Sequence, residues 1–219
     1  MVDLERGRAT QGIPALMMVL LAANLAWAQA PAAATPPANK EPWAFNLTVD
    51  GYIVPNEDGF VSPILTADRS WLHLETRYNY ENLRTGSLWV GYNFSAGKKL
   101  VFDITPMVGG VFGRTTGIAP GCEASLTYKK VELSVSNEYV FDTASKSGNF
   151  YYSWPQLTYS PLKWLQVGAV AQHTRAYQTN VDVQRGFLVG VSFKSMEFTT
   201  YIFDPGEQTT AVLEVGYSF

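Results

Sequence analysis

Glu75, Arg77, Asp103, Glu123, Glu132, Glu138 and Glu214 recur at positions whose immediate neighbours are mostly apolar, and Trp89, Asn93, Gln166 and Gln172 fall in the same phase. Two chemistries fit such a set. Carboxylates lining a narrow, water-filled passage favour cations over anions. The same groups, packed against Arg77 and Lys129 in a low-dielectric interior, instead form a salt-bridged plug. The remaining reactive residues are sparse: His73 falls on the polar stripe, and His173 falls on an apolar one. A single cysteine, Cys122, excludes an internal disulfide and offers no metal cluster. No phosphate loop, metal-ligand spacing or hydrolase elbow is present, so no cofactor or metal is expected.

The elements that position these residues are strands. Period-two alternation runs from Trp43 to the end and no helical period survives. Leu72, Leu74 and Tyr78 oppose His73, Glu75 and Arg77. Leu88, Val90 and Tyr92 oppose Ser87, Trp89 and Asn93. Leu213, Val215, Tyr217 and Phe219 share one face, with Glu214, Gly216 and Ser218 on the other. Short turns at 95–98, 129–130, 160–163 and 194–195 alternate with longer loops at Gly113 to Pro120, Thr143 to Asn149, Gln178 to Gln184 and Asp204 to Gln208. That rhythm implies an antiparallel up-and-down β-barrel, all-β, whose two rims differ in loop length. Sixteen strands would leave about 11 residues per strand and loop together, too few for spanning strands, whereas twelve leave about 15. Twelve is the expected count, with Ala44–Val54 and Phe60–Ala67 as the first hairpin; ten is the alternative.

The first 28 residues read as an export signal. Arg6 and Arg8 precede an apolar run, Ile13 to Ala23, that ends at an Ala-x-Ala site, and the run is too short for the roughly 20 residues a spanning helix needs. Residues 29–42 are an Ala- and Pro-rich tail, and 43–219 the barrel. With 16 Lys plus Arg against 19 Asp plus Glu, the net charge of −3 leaves no basic excess for nucleic acid.

The apolar stripes carry no Asp, Glu, Lys or Arg, as a lipid-facing exterior demands. Aromatics gather at strand ends in two girdles. Tyr92, Phe94, Tyr128, Tyr159, Trp164, Phe193, Tyr217 and Phe219 fall beside the short turns. Tyr78, Tyr80, Phe112, Tyr139, Phe141, Phe150, Tyr152 and Phe187 fall beside the longer loops. With its signal segment and a last strand of Leu213, Val215, Tyr217 and terminal Phe219, the chain resembles bacterial outer-membrane β-barrel proteins. The resemblance implies location in the cell outer membrane, contact with its lipids and lipopolysaccharide, and insertion by the barrel-assembly machinery, which reads that last strand. It leaves the oligomeric state open.

The function expected from these residues is a narrow, weakly cation-preferring passive pore for small polar solutes. The alternative is a closed barrel with a structural role in the envelope. A third reading, an outer-leaflet lipid-modifying enzyme, rests on His173. Outer-membrane lipid hydrolases place a His and, two residues later, a Ser on such an outward face; here position 175 is Arg, and Thr174 has inward phase. The polar-face glycines Gly91, Gly109, Gly168, Gly190 and Gly216 are read as relieving strand crowding.

Overall fold

The computed structural model describes residues 41–56, 58–176, 182–206 and 209–219. The signal segment, residues 29–40 of the tail and residues 178–181 of one expected loop lie outside them. Strands β1 (Ala44–Ile53), β2 (Phe60–Arg69), β3 (Leu72–Tyr78) and β4 (Thr85–Tyr92) form an antiparallel meander. A short β5 (Phe94–Gly97) continues β4 past Asn93, in unchanged register with β6 (Leu100–Gly113), so the two segments act as one stave. β7 (Gly117–Tyr128), β8 (Val131–Asp142) and β9 (Phe150–Leu162) follow. β10 (Leu165–Ala176), β11 (Asp182–Phe193), β12 (Met196–Phe203) and β13 (Thr210–Ser218) complete the chain.

Each strand pairs with its sequence neighbours, and β13 pairs with β1, closing the sheet into a barrel of twelve staves. The seam is tight: Phe45 and Phe219 exchange two backbone hydrogen bonds of 3.0 Å and stack their rings with centroids 5.5 Å apart. Closure leaves no free edge, the only way a sheet can satisfy its backbone in a bilayer.

Turn length separates the rims. At one, two-residue connections such as Lys129–Lys130 and Lys194–Ser195 put Lys129 and Lys194 at positive φ, as tight hairpins with right-twisted strands require. The other rim carries the longer loops. The expected loop at Gly113 to Pro120 shrinks to residues 114–116, because β6 reaches Gly113 and β7 begins at Gly117. Pro120 does not break the strand. The β7–β8 ladder skips from Ile118↔Phe141 to Gly121↔Glu138, so the missing N–H falls in a gap.

The exterior is apolar: Leu88, Val108, Ile118, Leu133 and Leu157 are among its exposed residues. Exposed aromatics ring the short-turn rim, where Trp71 stacks on Tyr92. Lys129 and Lys194 lay their ammonium groups over the outward rings of Tyr128 and Phe193, at 5.2 and 5.3 Å. That posture carries their charge to headgroup level.

Three aromatics depart from the expected girdle. Tyr152 and Phe150 share the inward phase of Trp154, and Phe150 packs on a buried cluster of Trp89, Met107, Val111, Ala119 and Val140. Tyr80 turns in over the lumen because β3 stops at Tyr78 and Asn79 adopts φ 58°. A second inward cluster, Val170, Leu188, Tyr201, Phe203 and Val212, packs against Tyr52 and Trp154. Two apolar and aromatic clusters therefore occupy part of the loop-side half of the barrel, and the short-turn half is polar.

Candidate functional site

A ladder of charge climbs the inner wall from the short-turn rim. Asn93 donates to Asp68 at 2.7 Å, and Thr105 donates to Asn93 at 2.8 Å. His73 places Nδ1 2.8 Å from Asp68 and Nε2 3.1 Å from Glu75. With a carboxylate on each ring nitrogen, the doubly protonated imidazolium is the form that satisfies both contacts. Arg77 then donates from Nε to Glu75 and from Nη1 to Glu138, the latter across 2.8 Å of lumen. Glu75, Arg77 and Glu138 are all buried.

Aromatic rings clamp that guanidinium. Its carbon lies 4.4 Å from the Tyr80 ring centre and 4.5 Å from that of Trp89, within cation–π range. Trp89 can lie flat because its cross-strand partner is Gly109, and Gly121 lies under the far edge of the ring. A Cβ at Gly121 would stand 2.9 Å from Trp89 Cζ3. These glycines make room for one specific ring. Glu81, in the β3–β4 loop, accepts from Ser87 Oγ and from Trp89 Nε1 at 3.3 Å.

The free space forms a series. A cavity of about 250 Å³ in the short-turn half is lined by Asp103, Thr105, Glu123, Ser134 and Gln156. A central cavity of about 230 Å³ shares Glu123, Ser136, Trp154 and Gln156 with it and reaches Asp50, Glu75, Arg77 and Glu214. A loop-side hollow of about 460 Å³, lined by Glu81, Arg114, Tyr152 and Gln172, has Tyr80 in common with the central cavity. Tyr80 and Tyr152 meet edge-on with centroids 5.6 Å apart, so an aromatic pair separates the two.

The residues singled out in the sequence thus divide. Glu75, Arg77, Trp89 and Glu138 join in the clamp, and Asn93 braces its base. Asp103, Glu123 and Glu214 line the cavities, with Tyr201 donating to Glu214 at 3.2 Å. Glu132 and Gln166 lie apart at the short-turn mouth, where Thr127 donates to Glu132 at 3.0 Å, and Gln172 lies at the loop side. Asp50, Tyr52, Trp154 and Tyr201 escape the sequence reading of the lumen, which sets Tyr80 in the outer girdle, although Thr48, Asp50 and Tyr52 keep strict alternation along β1.

His173 faces outward beside Ser153 in the strand register, and Asn137 lies on the far side of Ser153. Its ring meets Tyr151 edge-on at 5.5 Å, and Tyr151 donates to Asn137. Among the described residues no hydrogen bond joins Ser153 to His173, whose Nε2 is buried and unpartnered.

The architecture has solved counterparts. The KdgM porin matches with a TM-score of 0.58 over 80% of this chain and 99% of its own, at 13% identity. The fold is that of an outer-membrane porin. The KdgM porin in complex with disordered oligogalacturonate matches at TM-score 0.56, also at 13% identity, over the same shares of both chains. Pseudomonas aeruginosa OccK5 follows at TM-score 0.42 and 7% identity, covering 81% of this chain and 67% of its own, too distant to argue from. No family model matches the chain, and no curated protein matches it in sequence. Porin fold and apolar exterior together make this barrel an integral protein of the outer membrane.

Proposed function

We propose that this outer-membrane barrel is a narrow passive pore for small polar solutes with a weak preference for cations. The observation that carries the reading is the series of cavities sharing wall residues from Asp103 to Tyr80, in the first two of which Asp50, Glu75, Asp103, Glu123 and Glu214 face Arg77. Water and carboxylates there attract cations and repel anions. The KdgM complex holds oligogalacturonate, a polyanion; the acidic lumen here favours solutes of the opposite sign. In this reading export depends on residues 1–28, the strand ending Leu213, Val215, Tyr217 and Phe219 serves insertion by the assembly machinery, and lipids with lipopolysaccharide are the lasting neighbours.

A closed structural barrel is the second reading, favoured by the aromatic cap and by the Arg77 guanidinium held between Glu75 and Glu138. A hydrolytic role for His173 has no support, since among the described residues no hydrogen bond joins it to Ser153. Swelling of liposomes carrying the purified barrel separates pore from plug. The pore reading expects swelling in small polar non-electrolytes and in alkylammonium salts, slower in salts whose only permeant ion is a polyvalent anion. Folded barrels that leave every liposome unswollen would overturn it.

A further inference from the structure

The central cavity has a wall that the Arg77 clamp does not explain. Asp50 on β1 and Glu214 on β13 are directly opposite in the strand register, and both line the cavity. Like charges in that relationship repel unless something positive lies between or beside them. Among the described residues nothing in the wall provides it. The charged residues around the cavity are Asp50, Glu75, Glu123 and Glu214 against Arg77 alone, and Arg77 already donates to Glu75 and Glu138.

Asp50 is only 8% exposed, and its Oδ1 has no hydrogen-bond partner among the described residues. A buried carboxylate oxygen left in this way is strongly unfavourable unless a ligand satisfies it. Glu214 by contrast is held by the Tyr201 hydroxyl at 3.2 Å, its position fixed. Beside Thr48, Thr66 and Gln156 the wall also carries aromatic rings, Tyr52, Trp154 and Tyr201, with Trp154 meeting Tyr201 edge-on at 5.3 Å.

We propose that this cavity is a binding site for a small organic cation, an ammonium group carrying alkyl substituents. The head would sit between Asp50 and Glu214, and its alkyl groups against Trp154 and the tyrosine rings. Two carboxylates with aromatic faces is the donor set that recognises alkylated ammonium. A metal ion is the poorer occupant, because among the described residues no group of three or more His, Cys, Asp or Glu is arranged to hold one. A volume of about 230 Å³ admits a molecule of a few carbons and excludes an oligosaccharide. The inference deepens the cation-preferring reading above and rests on it for access from the lumen.

The test is calorimetric titration of the full chain, purified in detergent, with choline, and with 3,3-dimethylbutan-1-ol as the neutral molecule of the same shape. Choline is expected to bind and the alcohol not. Asp50→Asn and Glu214→Gln should each weaken choline binding about tenfold or more. Tyr201→Phe, which keeps the ring but frees Glu214, should weaken it less. Heat-modifiable migration on gels verifies folding of each variant, and Tyr201→Phe remains informative if a carboxylate variant fails to fold. Equal binding of the alcohol, unchanged choline affinity in both carboxylate variants, or no heat with choline would each overturn the site. Binding needs no conduction, so choline heat from an electrically silent barrel would keep the site and sink the pore. Conduction without choline heat would do the reverse.

Discussion

Arg77 on β3 and Glu138 on β8 are 61 residues apart in sequence and 2.8 Å apart in space, joined across the barrel interior. The contact ties walls four staves apart, with Glu75 on the second edge of the guanidinium. Replacing Arg77 by Met keeps much of its bulk but strands two buried carboxylates. Loss of one partner from a buried ion pair costs about 3–5 kcal/mol. Urea unfolding of Arg77→Met should show that loss, and a change within experimental scatter would refute the clamp.

Trp89 and its glycine bed give a sharper contrast. A methyl at Gly109 would strike the Trp89 ring, whereas a methyl at neighbouring Gly110, on the opposite face, meets nothing within 4 Å. Gly109→Ala should destabilise the barrel by about 1–3 kcal/mol, the usual range for overpacking. Gly110→Ala should be near neutral. Equal effects in denaturant titrations would show that Trp89 does not lie over the glycine.

Leu88, next to Trp89 on the same strand, is 60% exposed on the outer face. Arginine there would enter hydrocarbon and cost about 2–4 kcal/mol near the bilayer midplane. Refolding of Leu88→Arg into lipid vesicles should be impaired by that amount, while the same protein in detergent should be much less affected. Equal stability in vesicles would contradict the lipid-facing assignment.

Tyr80 stands between the central cavity and the loop-side hollow, edge-on to Tyr152. Tyr80→Ala should raise single-channel conductance severalfold, because it removes the shared wall. An unchanged conductance in a folded variant would place the constriction elsewhere.

Much of the fold was legible because strand alternation and turn chemistry are local signals. Leu74, Val90 and Val215 declare an outward stripe by their own spacing, and the loop from Thr143 to Asn149 has the expected bounds. What failed depended on long-range geometry. The phase of Tyr152 follows only once Trp154 is known to point inward. Tyr80 needs the left-handed turn at Asn79. Gly113 to Pro120 has loop composition, yet Val111 and Ala119 are buried in the inner cluster and extend the strands through it. Site composition was readable, since Glu75, Arg77 and Glu138 shared a polar phase. Their convergence was not, because strands β3 and β8 meet only through barrel closure. Asp50 escaped for the same reason: its significance comes from Glu214 across the seam between first and last strands.

In the cation-preferring reading the acidic cavity lining can be edited with the Glu75 and Glu138 bonds of the clamp intact, although Glu123 Oε1 also lies 3.9 Å from Arg77 Nη2. Asp103 and Glu123 line the short-turn cavity, and neither is fully buried. Asp103→Asn combined with Glu123→Gln should move the zero-current potential in a salt gradient toward zero with little loss of stability. A selectivity unchanged by the double substitution would show that these carboxylates do not face the conducting path.

The most direct test of the account is the zero-current potential of the full chain in a planar bilayer under a potassium chloride gradient. A pore with this lumen yields discrete current steps and a potential of the sign set by potassium moving faster than chloride. Folded barrels that never conduct, or that conduct with the opposite sign, would contradict it.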